Sequence, residues 1–150
     1  MKKYFNNVQV VTEDGEKPLS DLSIKKLVLF FYPRDNTSGC TLESQEFTEL
    51  LPQFKKNGAT VVGISRDTVK SHIKFIEKFA LKMPLIADPE EEICNAFSVI
   101  KEKNMYGKKV FGIERSTFIL DENFKIVQEW RKVKAEGHAQ EVLDWVKENK

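Results

Sequence analysis

The sequence predicts an α/β fold, a mixed central sheet flanked by helices, from three observations. Two continuous apolar runs, Lys26 to Tyr32 (KLVLFFY) and Ala59 to Ser65 (ATVVGIS), read as strands buried on both faces. Amphipathic stretches at helical spacing alternate with them. Near the C-terminus two strand-like runs are separated by a short turn.

The elements follow in order. Val8 to Val11 and Glu16 to Leu19 flank Glu13-Asp14-Gly15 and suggest a small hairpin. Lys26 to Tyr32 is the central strand, stopped by Pro33. From Cys40 to Lys56 the apolar residues Phe47, Leu50, Leu51 and Phe54 mark one face of a helix. Pro52 is expected to kink it and Asn57-Gly58 to end it. After the strand Ala59 to Ser65, a helix from about Thr68 to Ala80 presents Val69, Ile73, Ile76 and Phe79, and Pro84 to Ala87 is a short strand. Asp88-Pro89-Glu90-Glu91 reads as a helix start, with a capping residue, Pro at the first helical position and an acid three residues after the cap, and the helix continues to about Val99. The lysines at 101 to 109 read as a solvated loop. Ser116 to Leu120 and Lys125 to Lys132 are two strands joined at Asp121-Glu122-Asn123, and Ala139 to Glu148 is a closing amphipathic helix.

Early alternation implies parallel strands with helical crossovers, and the late tight turn implies an antiparallel pair at one side of the same sheet. That is the thioredoxin-like arrangement. No repeat, low-complexity tract or linker divides residues 1–150, so one domain is expected, and an apolar fraction of 41% is enough to build its core.

Charge and composition narrow the function. Lys and Arg number 24 against 23 Asp and Glu, so no net field draws the chain to nucleic acid or to an anionic membrane. The N-terminus turns polar at Asn6 and Asn7 without the apolar stretch of a signal peptide, and no run reaches the roughly 18 apolar residues of a membrane span. A cytoplasmic location is expected. Two cysteines, Cys40 and Cys94, are too few for a disulfide framework or a thiolate zinc site, so each is either packing or chemistry. His72 and His138 read as surface residues on helices with no ligand cluster, and no metal or cofactor is assigned. Trp130, Trp145 and the eleven phenylalanines read as core.

Cys40 stands apart. It follows a buried strand and a loop of turn formers, Pro33-Arg34-Asp35-Asn36-Thr37-Ser38-Gly39, and lies in the first turn of a helix. The first N–H groups of a helix have no intrahelical partners and its dipole places partial positive charge there, so a thiolate is stabilised. Thr37 can supply a hydroxyl that both donates and accepts, Gly39 and Cys40 supply backbone N–H donors, Gly39 leaves room for substrate, and Pro33 stiffens the loop. Taken singly, Thr37 is a helix cap, Pro33 a strand terminator and Cys40 a buried structural thiol.

YPRDNTSGCT resembles the peroxiredoxin pattern of Pro, three residues, Thr, two residues and Cys, here Pro33, Thr37 and Cys40, and Cys40-Thr41-Leu42-Glu43 resembles the Cys-Thr-x-Glu of the Q subfamily, the bacterioferritin comigratory proteins. The likeness continues in GISRDTVKSHIKFIEKFAL at 63 to 81, in MYGKKVFGIERSTFILD at 105 to 121 and in the closing helix. It implies that Arg115 is the active-site arginine, whose planar fork holds thiolate and peroxide oxygens together, and that Glu43 orients that guanidinium. Without the resemblance, Arg115 reads as a surface ion-pair residue.

The resemblance implies a thiol peroxidase: the Cys40 thiolate attacks hydrogen peroxide or an organic hydroperoxide, and an external thiol, such as thioredoxin, glutaredoxin or a small thiol, reduces the sulfenic acid. Many members carry a resolving cysteine five residues after the first, where this chain has Gln45, and the other common position, in the following helix, also lacks one. Ser38 replaces a frequent proline, and the usual Gly-x-x-Ala-Pro-x-Phe opening is absent. Cys94 lies beside Ile93 and Phe97, so packing is the simple expectation and resolution of Cys40 the functional one. A one-cysteine cycle in a monomer or weak homodimer is the favoured reading; the alternatives are a two-cysteine cycle through Cys94 and a non-catalytic thioredoxin-like binding module. A C-x-x-C oxidoreductase is disfavoured, because Glu43 occupies the second cysteine position.

Overall fold

The computed structural model describes residues 2–22 and 25–149. Short 3-10 turns at Lys2–Phe5 and Leu19–Asp21 bracket a hairpin of β1 (Gln9–Thr12) and β2 (Gly15–Pro18). There follow β3 (Lys26–Phe31), α1 (Ser38–Lys56), β4 (Ala59–Ser65), α2 (Val69–Phe79), β5 (Leu85–Ala87) and α3 (Glu92–Ala96). A second hairpin of β6 (Ile100–Met105) and β7 (Lys108–Ile113) precedes β8 (Ser116–Leu120), β9 (Ile126–Arg131) and α4 (His138–Glu148).

Seven strands form one sheet in the order β2-β1-β5-β4-β3-β8-β9. The central strands β3, β4 and β5 are parallel, as right-handed helical crossovers require, and β8 and β9 add antiparallel to one side. The fold is therefore the predicted mixed sheet with helices on it. The N-terminal hairpin joins the other edge, where Val11 pairs with Leu85.

Strand alternation splits the core in two. Val28, Phe30 and Tyr32 face a cluster with Phe47, Leu51 and Phe54 of α1, Phe75 and Ile76 of α2, and Val142 and Val146 of α4. Leu27, Leu29 and Phe31 point to the opposite cluster, which holds Phe5, Ile93, Cys94 and Phe97. Gly63 lets α1 seat on the sheet: a Cβ there would meet Phe30 Cζ and Leu85 Cδ2, each at 2.8 Å, and the Phe30 ring instead stacks on Phe47 with centroids 4.6 Å apart.

Several local expectations change. The α1 helix begins two residues earlier than Cys40 and runs through Pro52, while its end at the Asn57 cap, with Gly58 at φ +79°, is the expected one. The buried face of α2 is His72, Phe75 and Ile76, whereas Ile73 is 40% exposed. His72 and His138, expected at the surface, are both buried. Each has polar partners at both ring nitrogens, which is what makes a buried imidazole tolerable. The helix expected from Asp88 begins only at Glu92, because Glu91 at φ +59° interrupts the helical path. Residues 100–113 form a hairpin rather than a loop. Its lysines hid the strand pattern: most of its side chains are solvated on both faces, so no period-two signal marks it. Phe111, expected in the core, lies on it at 63% exposure.

Candidate active site

Sheet topology brings Arg115 to Gly39, Cys40 and Glu43. β3 and β8 are antiparallel, with Phe31 opposite Ser116, so the end of β3 and the start of β8 lie side by side. The loop leaving β3 leads to Cys40, and Arg115 immediately precedes β8. The Arg115 backbone is fixed from the β9 side, where Val133 N–H donates to its carbonyl at 3.1 Å, and the neighbouring Glu114 N–H donates to the Val99 carbonyl at 2.7 Å.

Thr37 takes the N-cap position of α1 with an extended backbone, φ −102° and ψ 154°. Its hydroxyl donates to the Arg34 carbonyl at 3.0 Å instead of capping the helix. The first intrahelical bond runs from Thr41 N–H to the Thr37 carbonyl at 2.8 Å, so the N–H groups of Ser38, Gly39 and Cys40 precede the helical ladder. Pro33 is half-buried between Tyr32 and this turn.

Cys40 is 1% exposed, and Arg115 Nη2 donates to its sulfur at 3.4 Å. The other arm of the fork, Nη1, donates to Glu43 Oε1 at 2.7 Å. One guanidinium thus spans the sulfur and a carboxylate presented one helical turn apart. Gly39 makes this approach possible: a Cβ there would lie 3.1 Å from Nη2 and 4.0 Å from the Ala135 Cβ.

The electrostatics of the pair are unequal. The Glu43 side chain is fully enclosed and its Oε2 has no hydrogen-bond partner. Burial pushes its carboxyl up to about 7 against the opposing pull of Arg115. For Arg115 burial works against the charge, but Glu43 and Cys40 outweigh it, so the guanidinium is held above its ordinary range. On the same helix the Ser44 hydroxyl is also buried without a partner.

Cys94 does not join this group. It is fully buried in the core cluster on the opposite face of the sheet from Cys40, and its N–H donates to Asp88 Oδ2 at 2.8 Å. Burial first, and then the Asp88 carboxylate, push its thiol far above the ordinary range.

A polar network under the Pro33–Thr37 loop escaped the sequence reading. Tyr32 Oη donates to Asp35 Oδ1 at 2.6 Å, Ser71 Oγ donates to Asp35 Oδ2 at 2.8 Å, and His72 Nδ1 lies 2.7 Å from the same oxygen. The carbonyl of Ile86 can only accept, so His72 Nε2, 2.9 Å away, donates to it. Asp35 N–H donates to Asp67 Oδ2 at 2.9 Å, and that oxygen also accepts from Ser65 Oγ at 2.6 Å. No local motif signals a set drawn from four separate segments.

Residues 3–129 match the AhpC/TSA family. The chain is 57% identical over 117 residues to peroxiredoxin Bcp of Xanthomonas campestris pv. campestris, covering 78% of this chain and 73% of that protein. It is 42% identical over 130 residues to peroxiredoxin Bcp of Bacillus subtilis, covering 87% and 83%. Among solved structures, a bacterioferritin comigratory protein of Xanthomonas campestris, studied for its alkyl peroxide reduction activity, is similar with a TM-score of 0.87 and 47% identity over 99% of this chain and 95% of that one. Peroxidoxin BcpB from Mycobacterium tuberculosis is similar with a TM-score of 0.78 and 30% identity, covering 95% and 92%.

Proposed function

Since the chain belongs to the AhpC/TSA family, as a Q-type (Bcp) peroxiredoxin and hence a thiol peroxidase, we propose that Cys40 carries the reaction in a one-cysteine cycle. The observation that carries this reading is the contact of Arg115 Nη2 with the Cys40 sulfur at the start of α1.

The Cys40 thiolate attacks one oxygen of hydrogen peroxide or of an organic hydroperoxide. A sulfur–oxygen bond forms, the oxygen–oxygen bond breaks, and the leaving oxygen departs with the electron pair and takes a proton to become water or an alcohol. Charge shifts from sulfur to the leaving oxygen, so fixed donors around both atoms stabilise the transition state. Arg115 holds sulfur and substrate with one fork, Glu43 aims that fork, and the N–H groups at Gly39 and Cys40 serve the peroxide oxygens. Thr37 turns its hydroxyl from the Arg34 carbonyl toward the substrate, and Pro33 keeps the loop stiff.

The Cys40 sulfenic acid is then attacked by an external thiol, of thioredoxin, glutaredoxin or a small thiol, giving a mixed disulfide and water. A second thiol releases the Cys40 thiol and the oxidised reductant. Resolution by Cys94 within the chain is disfavoured, because the two sulfurs lie in core layers separated by the sheet and a disulfide tolerates only about 7 Å between Cα atoms. A binding module without catalysis gives no reason for an arginine aimed at a buried sulfur.

Peroxide consumption in the presence of a thiol reductant tests the assignment: Cys40→Ser is expected to abolish it. Turnover that persists in Cys40→Ser contradicts the role of Cys40.

A further inference from the structure

We propose that Asp35, held by Tyr32, Ser71 and His72, is the positioning residue that sets Thr37 for the peroxide reaction. This rests on the reading of Cys40 as nucleophile and Thr37 as a substrate contact, and it concerns residues outside the Pro33, Thr37, Cys40 and Arg115 set.

The turn Arg34-Asp35-Asn36-Thr37 has to present Thr37 beside the start of α1, yet three of its four residues are exposed. Its internal fastening is one bond, Thr37 Oγ1 to the Arg34 carbonyl at 3.0 Å, and Asn36 adopts φ +58°, a left-handed state that asparagine tolerates. Such a turn does not hold one geometry by itself. Asp35 is the exception, 6% exposed and directed inward.

Every polar atom of Asp35 that faces the interior is engaged. Oδ1 accepts from Tyr32, Oδ2 accepts from Ser71 and shares a hydrogen with His72 Nδ1, and the N–H is taken by Asp67. His72 in turn is tied through Nε2 to the Ile86 carbonyl on β5, so the turn is fastened to α2 and to the sheet at once. Tyr32 lies at the end of β3 and is fully buried. A carboxylate accepting from two buried hydroxyls and lying 2.7 Å from an imidazole nitrogen in a water-poor interior is a rigid anchor, and losing one partner leaves buried polar atoms unsatisfied. The exposed bond of Lys78 Nζ to Asn36 Oδ1, at 3.2 Å, adds little to this. An anchor of this kind matters to the reaction because a displacement near 1 Å of a positioned group can cost on the order of 100-fold in rate.

The test compares two reactions of Cys40 in the same reduced protein, with hydrogen peroxide and with iodoacetamide. Alkylation needs the thiolate and access but no Thr37. Asp35→Ala is expected to slow the peroxide reaction by about 10-fold or more and to leave alkylation within about 2-fold of wild type. Asp35→Asn is expected to restore most of the peroxide rate, since its amide oxygen still accepts from Tyr32 and its NH2 donates to His72 Nδ1 and to a Ser71 Oγ turned from donor to acceptor. Should Asp35→Ala fail to fold, Tyr32→Phe keeps the buried ring, removes one donor and is expected to slow only the peroxide reaction, by about 3-fold or more. A folded Asp35→Ala or Tyr32→Phe that reacts with peroxide at the wild-type rate overturns the proposal, as does an equal loss in both reactions. Wild-type protein inert to peroxide, or Cys40→Ser that still reduces it, instead brings down the reading of Cys40 itself.

Discussion

Arg115 Nη2 donates to the Cys40 sulfur at 3.4 Å while Nη1 of the same guanidinium holds Glu43 at 2.7 Å, across a separation of 75 residues in sequence for the first pair. A single side chain is therefore clamped at one end by a buried carboxylate and directed at the Cys40 sulfur by the other. Arg115→Ala is expected to lower the second-order rate with peroxide by about 100-fold or more, the usual cost of losing a positioned transition-state donor. Arg115→Lys is expected to recover only a small part, because one ammonium cannot reproduce the two-armed geometry. Stopped-flow kinetics at fixed pH reads both, and a lysine variant near wild type contradicts the fork argument.

Gly39 separates activity from stability. Alanine there crowds Nη2 at 3.1 Å, and the arm is already held at both ends, so it must shift by a few tenths of an ångström. Helix propensity works the other way, since alanine is favoured over glycine by up to about 1 kcal/mol in a helix. Gly39→Ala is expected to melt no lower than wild type yet to react with peroxide about 3- to 10-fold more slowly. A variant slower and less stable in parallel points to general damage instead.

Glu43 makes stability depend on pH. Its carboxyl titrates at about 7 in the folded protein against an ordinary value of 4.5, chiefly through burial, so the folded state holds the proton more tightly. The contribution is fully present below about pH 4.5 and is lost as pH rises through about 7. At about 1.4 kcal/mol per unit, the loss is on the order of 3 kcal/mol. Glu43→Gln cannot ionise, so its stability relative to wild type is expected to rise by that order between pH 4.5 and pH 8. Urea unfolding of both proteins at the two pH values measures this, and a difference that does not change with pH sinks the assignment.

Gly63 tests the seating of α1 on the sheet. Alanine at this position brings its Cβ to 2.8 Å from both Phe30 and Leu85, in the middle of the larger core. Overpacking of this kind costs about 1–3 kcal/mol, so thermal unfolding of Gly63→Ala is expected to fall by several degrees. An unchanged melting temperature contradicts the close packing described for Phe30 and Phe47.

The sheet was readable in the sequence because β3 and β4 are buried on both faces, which leaves uninterrupted apolar runs between turn formers. Cys40 at a helix start was readable for the same reason, as the loop and its strand are contiguous with it. Arg115 and Glu43 were not readable from local pattern: their pairing joins β8 to α1 through sheet topology, and only the family resemblance pointed to it. His72 defeated the periodicity argument because a polar residue occupies a core position of α2, made tolerable by Asp35 and the Ile86 carbonyl. The β6–β7 hairpin carried no signal, since neither of its faces is covered along most of its length.

In the proposed cycle Cys40 forms a sulfenic acid that Cys94 does not reach. Intact-mass analysis after one equivalent of peroxide, on wild type and Cys94→Ala, tests it most directly. Both proteins are expected to gain the mass of one oxygen atom, lost again on addition of a thiol, with the modification mapped to Cys40. A wild type that instead loses two hydrogens, with Cys94→Ala alone retaining the oxygen, contradicts the one-cysteine cycle.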